Sequence, residues 1–161
     1  MIGSVSSANA YHTARNNVEW AAATSAGETT KLGALQKATD YVNSFRARFP
    51  GTKTGGRAQV DEWPRTNAVD AGGETLPYDT VPVEVENAVY EAAYLIIKGI
   101  DLTPVVQGGA LKRKKVKAGP VETETEYSDE VENYSGFDIV ENALENVLML
   151  PKGLELTLLR A

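Results

Sequence analysis

The stretch VPVEVENAVYEAAYLIIKGIDL, residues 81–102, is the longest part of the chain that is both strongly apolar and periodic. Its apolar residues recur at spacings of three and four, which places on one side of a helix Val85, Ala88, Val89, Ala92, Leu95, Ile96 and Ile100. Val83 and Tyr94 widen this stripe, Pro82 suits the first turn, and Gly99 is a stop signal. About seventeen helical residues with several acids are too few and too acidic to span a bilayer. The stretch therefore predicts a core helix that the rest of the chain must cover.

Helices are also predicted on both sides of this stretch. The first follows a capping Ser6 and continues, with a break at Asn16-Asn17, to about residue 23. The second covers about 28–46 and carries the apolar stripe Leu32, Leu35, Ala38, Val42, Phe45 and Phe49. The last covers about 138–150 and carries the stripe Ile139, Val140, Ala143, Leu144, Val147 and Leu148. The pattern predicts a mainly α protein, a small bundle of about four helices.

Residues 51–80 read as a long irregular loop rich in Gly, Thr, Asp and Pro. Trp63, Leu76 and Tyr78 are the residues expected to hold this loop against the helices. The motif Trp63-Pro64-Arg65 has two interpretations, a recognition element or a packed tryptophan that fixes the loop. We favour the packed tryptophan, because a large buried aromatic is the commoner use of such a residue.

After the core helix, the sequence predicts a β-hairpin within about 110–127. Its strands are expected at Ala110–Lys117 and Val121–Tyr127, with a turn through Ala118-Gly119. A two-residue turn would pair Val116 with Val121, Lys115 with Glu122 and Arg113 with Glu124. The terminal LELTLLRA, residues 154–161, reads as a strand or extended tail. We predict one domain, 1–161, with a helical core at about 6–102 and 137–150.

Composition restricts the possible functions. The chain has 161 residues, no cysteine, one histidine and a net charge of −6, so disulfides and thiolate chemistry are excluded and generic nucleic-acid affinity is disfavoured. The N-terminal residues have no signal-peptide pattern, and no transmembrane segment is predicted. No nucleotide-binding loop, nucleophile elbow or paired metal motif occurs. We expect no enzyme activity, no cofactor and no metal, and a surface or capping role for His12.

The strongest charge signal is the basic cluster Lys112, Arg113, Lys114, Lys115 and Lys117. It could contact a phosphate backbone. Alternatively, it is one strand of a hairpin whose charges are neutralised by Glu122, Glu124 and Glu126. We favour the second interpretation, because the acids follow at strand-pairing distance. The nearby Tyr127 and Tyr134 do not form the stacking platform typical of single-strand binders.

The order of these features resembles that of the head–tail adaptor, or connector, proteins of tailed bacteriophages. The segments that carry the resemblance are SANAYHTARNNVEWAAAT, LQKATDYVNSF, EWPRTNAVDAGGETLPYDTVP, VENAVYEAAYLI, GGALKRKKVKAGPVETETEY and FDIVENALENVLMLPKGLELTLLRA. The most specific part is WPR followed by a glycine-containing turn and DTVP. Many sequences of this type carry a DnaT-like single-stranded-DNA-binding label.

The resemblance implies a virion protein of the phage neck, made in the host cytoplasm. It implies a ring, usually of twelve copies, that docks to the portal protein and to tail or further neck proteins while double-stranded DNA passes through its lumen. The residues expected at the portal or a neighbouring subunit are Leu154, Leu156, Leu158, Leu159 and Arg160. Contacts to the next subunit or ring are expected from Lys112, Arg113, Lys114, Lys115, Glu122 and Glu124. The alternative is a single-stranded-DNA-binding replication factor.

Overall fold

The computed structural model describes residues 1–23, 28–102, 114–118, 121–125 and 136–149. The chain forms two compact units: a helical unit, Met1–Leu102 with Gly136–Ala161, and a hairpin unit, Thr103–Ser135. The prediction of a mainly α protein with a β-hairpin is confirmed. The prediction of a single domain stays a prediction. The predicted C-terminal strand or tail, 154–161, lies outside the described residues.

Five α-helices are present in the described residues: α1 Val5–Ala14, α2 Val18–Ala22, α3 Glu28–Asn43, α4 Val83–Ile97 and α5 Gly136–Leu144. Short 3-10 turns extend α3 at Ser44–Ala47 and α5 at Glu145–Val147. The cap of α1 is Ser4 rather than Ser6, because the Ser4 hydroxyl accepts a hydrogen bond of 3.1 Å from the backbone N–H of Ser7. The predicted break at Asn16-Asn17 separates α1 from α2.

Helix α4 is the centre of the helical unit and contacts α1, α2, α3 and α5. Its predicted stripe is buried at Val85, Ala88, Val89, Ala92 and Leu95. Val83 was wrongly assigned to this stripe. It is 62% exposed, because it is the first helical residue and lies ahead of the part that meets the neighbouring helices.

Helix α4 ends at Gly99, as predicted. Gly99 has φ +82°, a conformation that residues with a side chain rarely adopt. The backbone N–H of Ile100 donates to the carbonyl of Leu95, and that of Gly99 donates to Ile96, at 3.0 and 2.9 Å. This pair of bonds is the Schellman pattern, and it satisfies carbonyls that the helix end would leave unpaired.

The stripe of α3 begins one residue earlier than predicted. Leu32 is exposed, whereas Lys31 is buried on the face that continues through Leu35, Ala38 and Val42. Spacings of four, three and four put Lys31 rather than Leu32 in line with these residues. A charged side chain therefore lies in the apolar stripe of α3.

Helix α5 and its 3-10 extension bury Val140, Leu144, Val147 and Leu148, as predicted. Ile139 was wrongly placed in the stripe, since it is 47% exposed. The backbone N–H of Met149 donates to the carbonyl of Arg48 at 2.7 Å, which fixes the end of this segment near the end of α3.

The loop between α3 and α4 is more regular than predicted. Strands β1, Thr52–Lys53, and β2, Arg65–Thr66, form an antiparallel pair, and an isolated bridge joins Val69 to Thr75. Of the three residues expected to anchor the loop, Trp63 is buried and Leu76 is packed against the core. Tyr78 is 62% exposed, so its predicted anchoring role is wrong.

Arg65 holds this loop together from a buried position. Its guanidinium donates to the carbonyls of Pro50 and Gly51 at 2.7 and 2.8 Å and to the Glu62 carboxylate at 3.0 Å. Gly51 has φ +66°, and a Cβ there would clash with the carbonyl oxygen of Thr66. Since these carbonyls belong to residues far from Arg65 in the chain, one side chain closes the loop onto its own start.

His12 is buried within an aromatic cluster, so its predicted surface or capping role is wrong. Its ring centroid lies 4.3 Å from that of Trp20 and 5.4 Å from that of Tyr94. Asn17 Nδ2 lies 2.9 Å from His12 Nδ1. Because an amide nitrogen only donates, Nδ1 accepts, and the proton of the neutral ring lies on Nε2. Burial, with smaller contributions from the positive charges of Arg15 and Lys31, lowers the pKa of His12 to about 4, although the backbone of Tyr90 acts in the opposite direction.

Among the described residues, no helix combines the length and apolarity that crossing a membrane requires. Within the same part of the chain, no three His, Cys, Asp or Glu side chains lie close enough to hold a metal ion.

We expect Arg65→Met to lower the free energy of unfolding by about 3 kcal/mol. The substitution keeps most of the side-chain volume but leaves two backbone carbonyls and the Glu62 carboxylate without their cationic donor. Urea unfolding followed by circular dichroism measures the change. Arg57→Met is the matched control, because Arg57 is exposed in the same loop and its loss should change stability by no more than about 0.5 kcal/mol. Equal effects of the two substitutions would contradict the role of Arg65.

We expect acidification to destabilise the protein through His12. The folded-state pKa of about 4 lies below the unfolded value of 6.5, so the unfolded chain binds the proton more readily. The stabilisation is fully present above pH 6.5 and is lost as the pH falls towards 4, in total about 3 kcal/mol. In His12→Gln, the decrease in unfolding free energy between pH 7 and pH 4 should be smaller by about this amount. His12 is the only histidine, so NMR titration of its ring gives the pKa directly, and a value near 6.5 would refute the assignment.

Candidate nucleic-acid interface

Three residues of the basic cluster that the sequence singled out, Lys114, Lys115 and Lys117, lie on a strand of the hairpin. Strand β3, Lys114–Ala118, pairs antiparallel with β4, Val121–Thr125. Lys112 and Arg113 lie outside the described residues. Two residues, Gly119 and Pro120, separate the innermost pair, Ala118 and Val121.

The pairing register differs from the predicted one by two residues. Lys115 is opposite Glu124, and Lys117 is opposite Glu122, instead of the predicted Lys115–Glu122 pair. The physical reason is Pro120, which has no N–H for the ladder and so leaves Ala118 as the last paired residue of β3. The general expectation that basic positions oppose acidic ones remains correct.

The two sets of alternating positions on this hairpin differ in charge. One set combines Lys115 and Lys117 with Glu122 and Glu124. The other contains Lys114, which is opposite Thr125, and the remaining pairs of that set carry no charge. A directly opposed acid therefore accompanies two of the three lysines of β3, but not Lys114.

The motif Trp63-Pro64-Arg65 is a structural element and not an exposed contact surface. Trp63 is 2% exposed and packs edge-on against Phe49, with ring centroids 5.5 Å apart. Arg65 is 7% exposed, and its guanidinium donates hydrogen bonds to carbonyls of the loop. The interpretation of this motif as a packed tryptophan agrees with the structure.

The helical unit offers a second combination of cations and aromatic rings, on α1 and α4. Arg15 lies over the ring of Tyr11, with its guanidinium carbon 3.5 Å from the ring centroid, and the Lys98 ammonium lies 5.3 Å from the ring of Tyr94. Such cation–π pairs resemble the aromatic and basic surfaces on which single strands stack.

Carboxylates accompany both of these rings. The Tyr11 hydroxyl donates to Glu91 at 2.8 Å, and burial together with this bond raises the pKa of Tyr11. The Tyr94 hydroxyl donates to Glu19 at 2.5 Å, which raises the pKa of Tyr94 to about 12 and lowers that of Glu19. Because each cation has an acid nearby, this surface is close to neutral and attracts a phosphate backbone weakly.

Sequence reasoning missed a polar cluster between α1, α2 and α3. Asn9 Oδ1 accepts hydrogen bonds of 2.9 Å from both the Trp20 indole and the Lys31 ammonium. The sequence feature that could have indicated this cluster is the helical spacing of Lys31 to Leu35 and Ala38, which places a lysine on an apolar stripe. The hydropathy pattern did not single out Lys31, because the adjacent Leu32 completes a similar stripe.

The residues expected to dock to a portal or a neighbouring subunit, Leu154, Leu156, Leu158, Leu159 and Arg160, lie outside the described residues. Their role stays a prediction without structural support.

Comparison with known proteins gives one result. A family model described as "Putative DnaT-like ssDNA binding protein" matches residues 3–161. No curated protein and no solved structure matches the chain significantly.

This match overturns the identification as a phage head–tail adaptor. The predicted neck ring, its portal and tail partners and the passive passage of double-stranded DNA are therefore wrong. The resemblance depended on the order of helices, loop and hairpin, which describes an architecture and does not specify a partner.

The match covers nearly the whole chain, including the loop, the core helix and the basic hairpin. The chain belongs to the family described as "Putative DnaT-like ssDNA binding protein".

Proposed function

We propose that this protein binds single-stranded DNA through the basic strand of its hairpin. The family match over residues 3–161 is the observation that carries the proposal. Absence of catalytic activity, of a cofactor and of a metal belongs to the same proposal. The predicted synthesis in the host cytoplasm stays a prediction.

The charge distribution supports the choice of the hairpin. Five of the sixteen Lys and Arg residues fall within residues 112–117, although the chain as a whole carries a net charge of −6. Because DNA is repelled by an acidic surface, an acidic protein binds it only where positive charge is concentrated. The segment 112–117 has the highest density of positive charge in the sequence.

The extended geometry of β3 also fits a strand of nucleic acid. Successive residues of a β-strand advance about 3.3 Å and alternate between its faces, so Lys115 and Lys117 occupy positions about 6.6 Å apart on one face and Lys114 lies at a position of the other face. Cations spaced along an extended strand can contact successive phosphates of an extended nucleic-acid strand. Contacts of this kind give sequence-independent binding that weakens as salt rises.

The opposed acids reduce this attraction. Glu122 and Glu124 are the register partners of Lys117 and Lys115, and opposite charges at directly opposed positions of a sheet attract each other. DNA must therefore compete with two carboxylates for two of the lysines. We infer binding of modest strength at physiological salt and a strong response to ionic strength.

We expect the triple variant Lys114→Gln, Lys115→Gln, Lys117→Gln to bind labelled oligothymidine about tenfold more weakly or worse at low salt. The slope of log Kd against log salt should decrease by at least about 1.4, because each lost phosphate contact on a single strand removes about 0.7 and Lys115 and Lys117 share one face. Fluorescence anisotropy across a salt series measures both quantities.

The matched control is Lys37→Gln, Arg46→Gln, Arg57→Gln, which removes three charges from exposed positions of the helical unit. Both triple variants change the net charge equally, so only a local contact explains a difference between them. A second variant tests for an increase in affinity: Glu122→Gln with Glu124→Gln removes the two opposed acids and should strengthen binding to oligothymidine. The proposal fails if wild-type protein does not bind oligothymidine at low salt, or if the two triple variants weaken binding equally.

A further inference from the structure

A solvent-open pocket of about 290 Å³ lies between α1, α2 and α3, and its lining contains none of the residues used in the proposed function. Its described lining is Asn9, His12, Thr13, Asn16, Asn17, Val18, Trp20, Ala21 and Lys31. Since a water molecule takes up about 30 Å³ in the liquid, the pocket has room for a small group that displaces several waters.

The only charged side chain in this lining is Lys31, which is 3% exposed. Its ammonium donates to Asn9 Oδ1 at 2.9 Å and lies 5.1 Å from the Trp20 ring. Among the described residues, no carboxylate forms an ion pair with it. Within the described part of the chain, the partners of this buried cation are a neutral amide and an aromatic ring, and its burial is costly because neither replaces the lost hydration.

The neighbouring polar groups are arranged to donate. Asn9 Oδ1 is already occupied by Trp20 Nε1 and Lys31 Nζ, so the part of Asn9 still available is its amide nitrogen with two donors. The Lys31 ammonium has two further hydrogens. Thr13 and Asn16 add a hydroxyl and an amide to the lining.

We propose that this pocket binds a phosphate group, with the Lys31 ammonium as its charged partner and the Asn9 amide as a second donor. A phosphate matches the pocket because it combines negative charge with several acceptor oxygens. A nucleobase does not match, since Trp20 is 2% exposed and offers no free ring face. The phosphate is either a phosphodiester of a bound strand or a free phosphate ion. The proposal therefore stands independently of DNA binding by the hairpin.

The first experiment measures thermal unfolding in sodium phosphate and in sodium chloride of equal ionic strength. We expect the midpoint of the wild-type protein to rise with phosphate concentration and not with chloride. In Lys31→Met the response to phosphate should be lost, while stability in chloride stays equal or increases, because an unpaired buried charge is replaced by an apolar side chain of similar length. Lys37→Met, an exposed lysine on the same helix, is the matched control and should respond like wild type.

The second experiment follows binding directly by NMR. His12 lines the pocket and is the only histidine, so its ring signals form a single probe, and the Trp20 indole N–H is a second probe. Titration with inorganic phosphate should shift both signals saturably in wild type and in Lys37→Met, but not in Lys31→Met. The proposal is overturned if wild type shows no saturable shift, or if Lys31→Met responds like wild type.

Oligothymidine without terminal phosphates then distinguishes the two sources. A Lys31-dependent shift with this oligonucleotide supports the proposal with the phosphodiester as ligand. A Lys31-dependent shift with inorganic phosphate alone supports it with a free phosphate as ligand. Lack of DNA binding in the hairpin experiment, combined with a phosphate response that needs Lys31, would refute the proposed function and leave this pocket in place.

Discussion

The burial of α4 is the constraint on which the helical unit depends. A helix whose residues Val85, Ala88, Val89, Ala92 and Ala93 are all fully buried needs neighbours on more than one side, and α1, α2, α3 and α5 supply them. The three alanines among these residues allow close helix approach, while each buried valine contributes about 1.5–3 kcal/mol. Since α5 follows the hairpin unit in the chain, the segment Thr103–Ser135 is an insertion between two helices of one core.

Sequence periodicity was sufficient to predict α4 and α5, because their partners need only be apolar. It failed where the outcome depends on a specific distant partner. Lys31 is tolerated in the stripe of α3 because Asn9 and Trp20 meet its ammonium, and both come from helices earlier in the chain. A pattern of apolar and polar letters carries no information about such a contact, so Leu32 was chosen in its place.

The same limit explains the errors at His12 and in the loop. A single histidine on a short helix is normally predicted to be a surface residue. His12 is buried because Trp20 from α2 and Tyr94 from α4 pack near its ring, and these contacts cannot be predicted from the local sequence. Arg65 donates hydrogen bonds to the backbone carbonyls of Pro50 and Gly51. Since every residue type has a backbone carbonyl, the sequence does not indicate these partners. The opposed charges of the hairpin could be predicted from the sequence, because strand pairing follows from local rules. Pro120 shifts the register by two residues but leaves basic positions opposite acidic ones.

Phosphate binding by the lysines of β3 and phosphate binding by Lys31 should depend on salt in different ways. Phosphate contacts made by the lysines of β3 release counterions from DNA, so their contribution falls steadily as ionic strength rises. Lys31 is 3% exposed, and a charge removed from solvent is screened much less. A phosphate held by Lys31 would therefore stay bound at salt concentrations that abolish binding to the hairpin. The salt dependence of binding by the whole protein should then have two parts, a steep one that depends on residues 114–117 and a flat one that depends on Lys31.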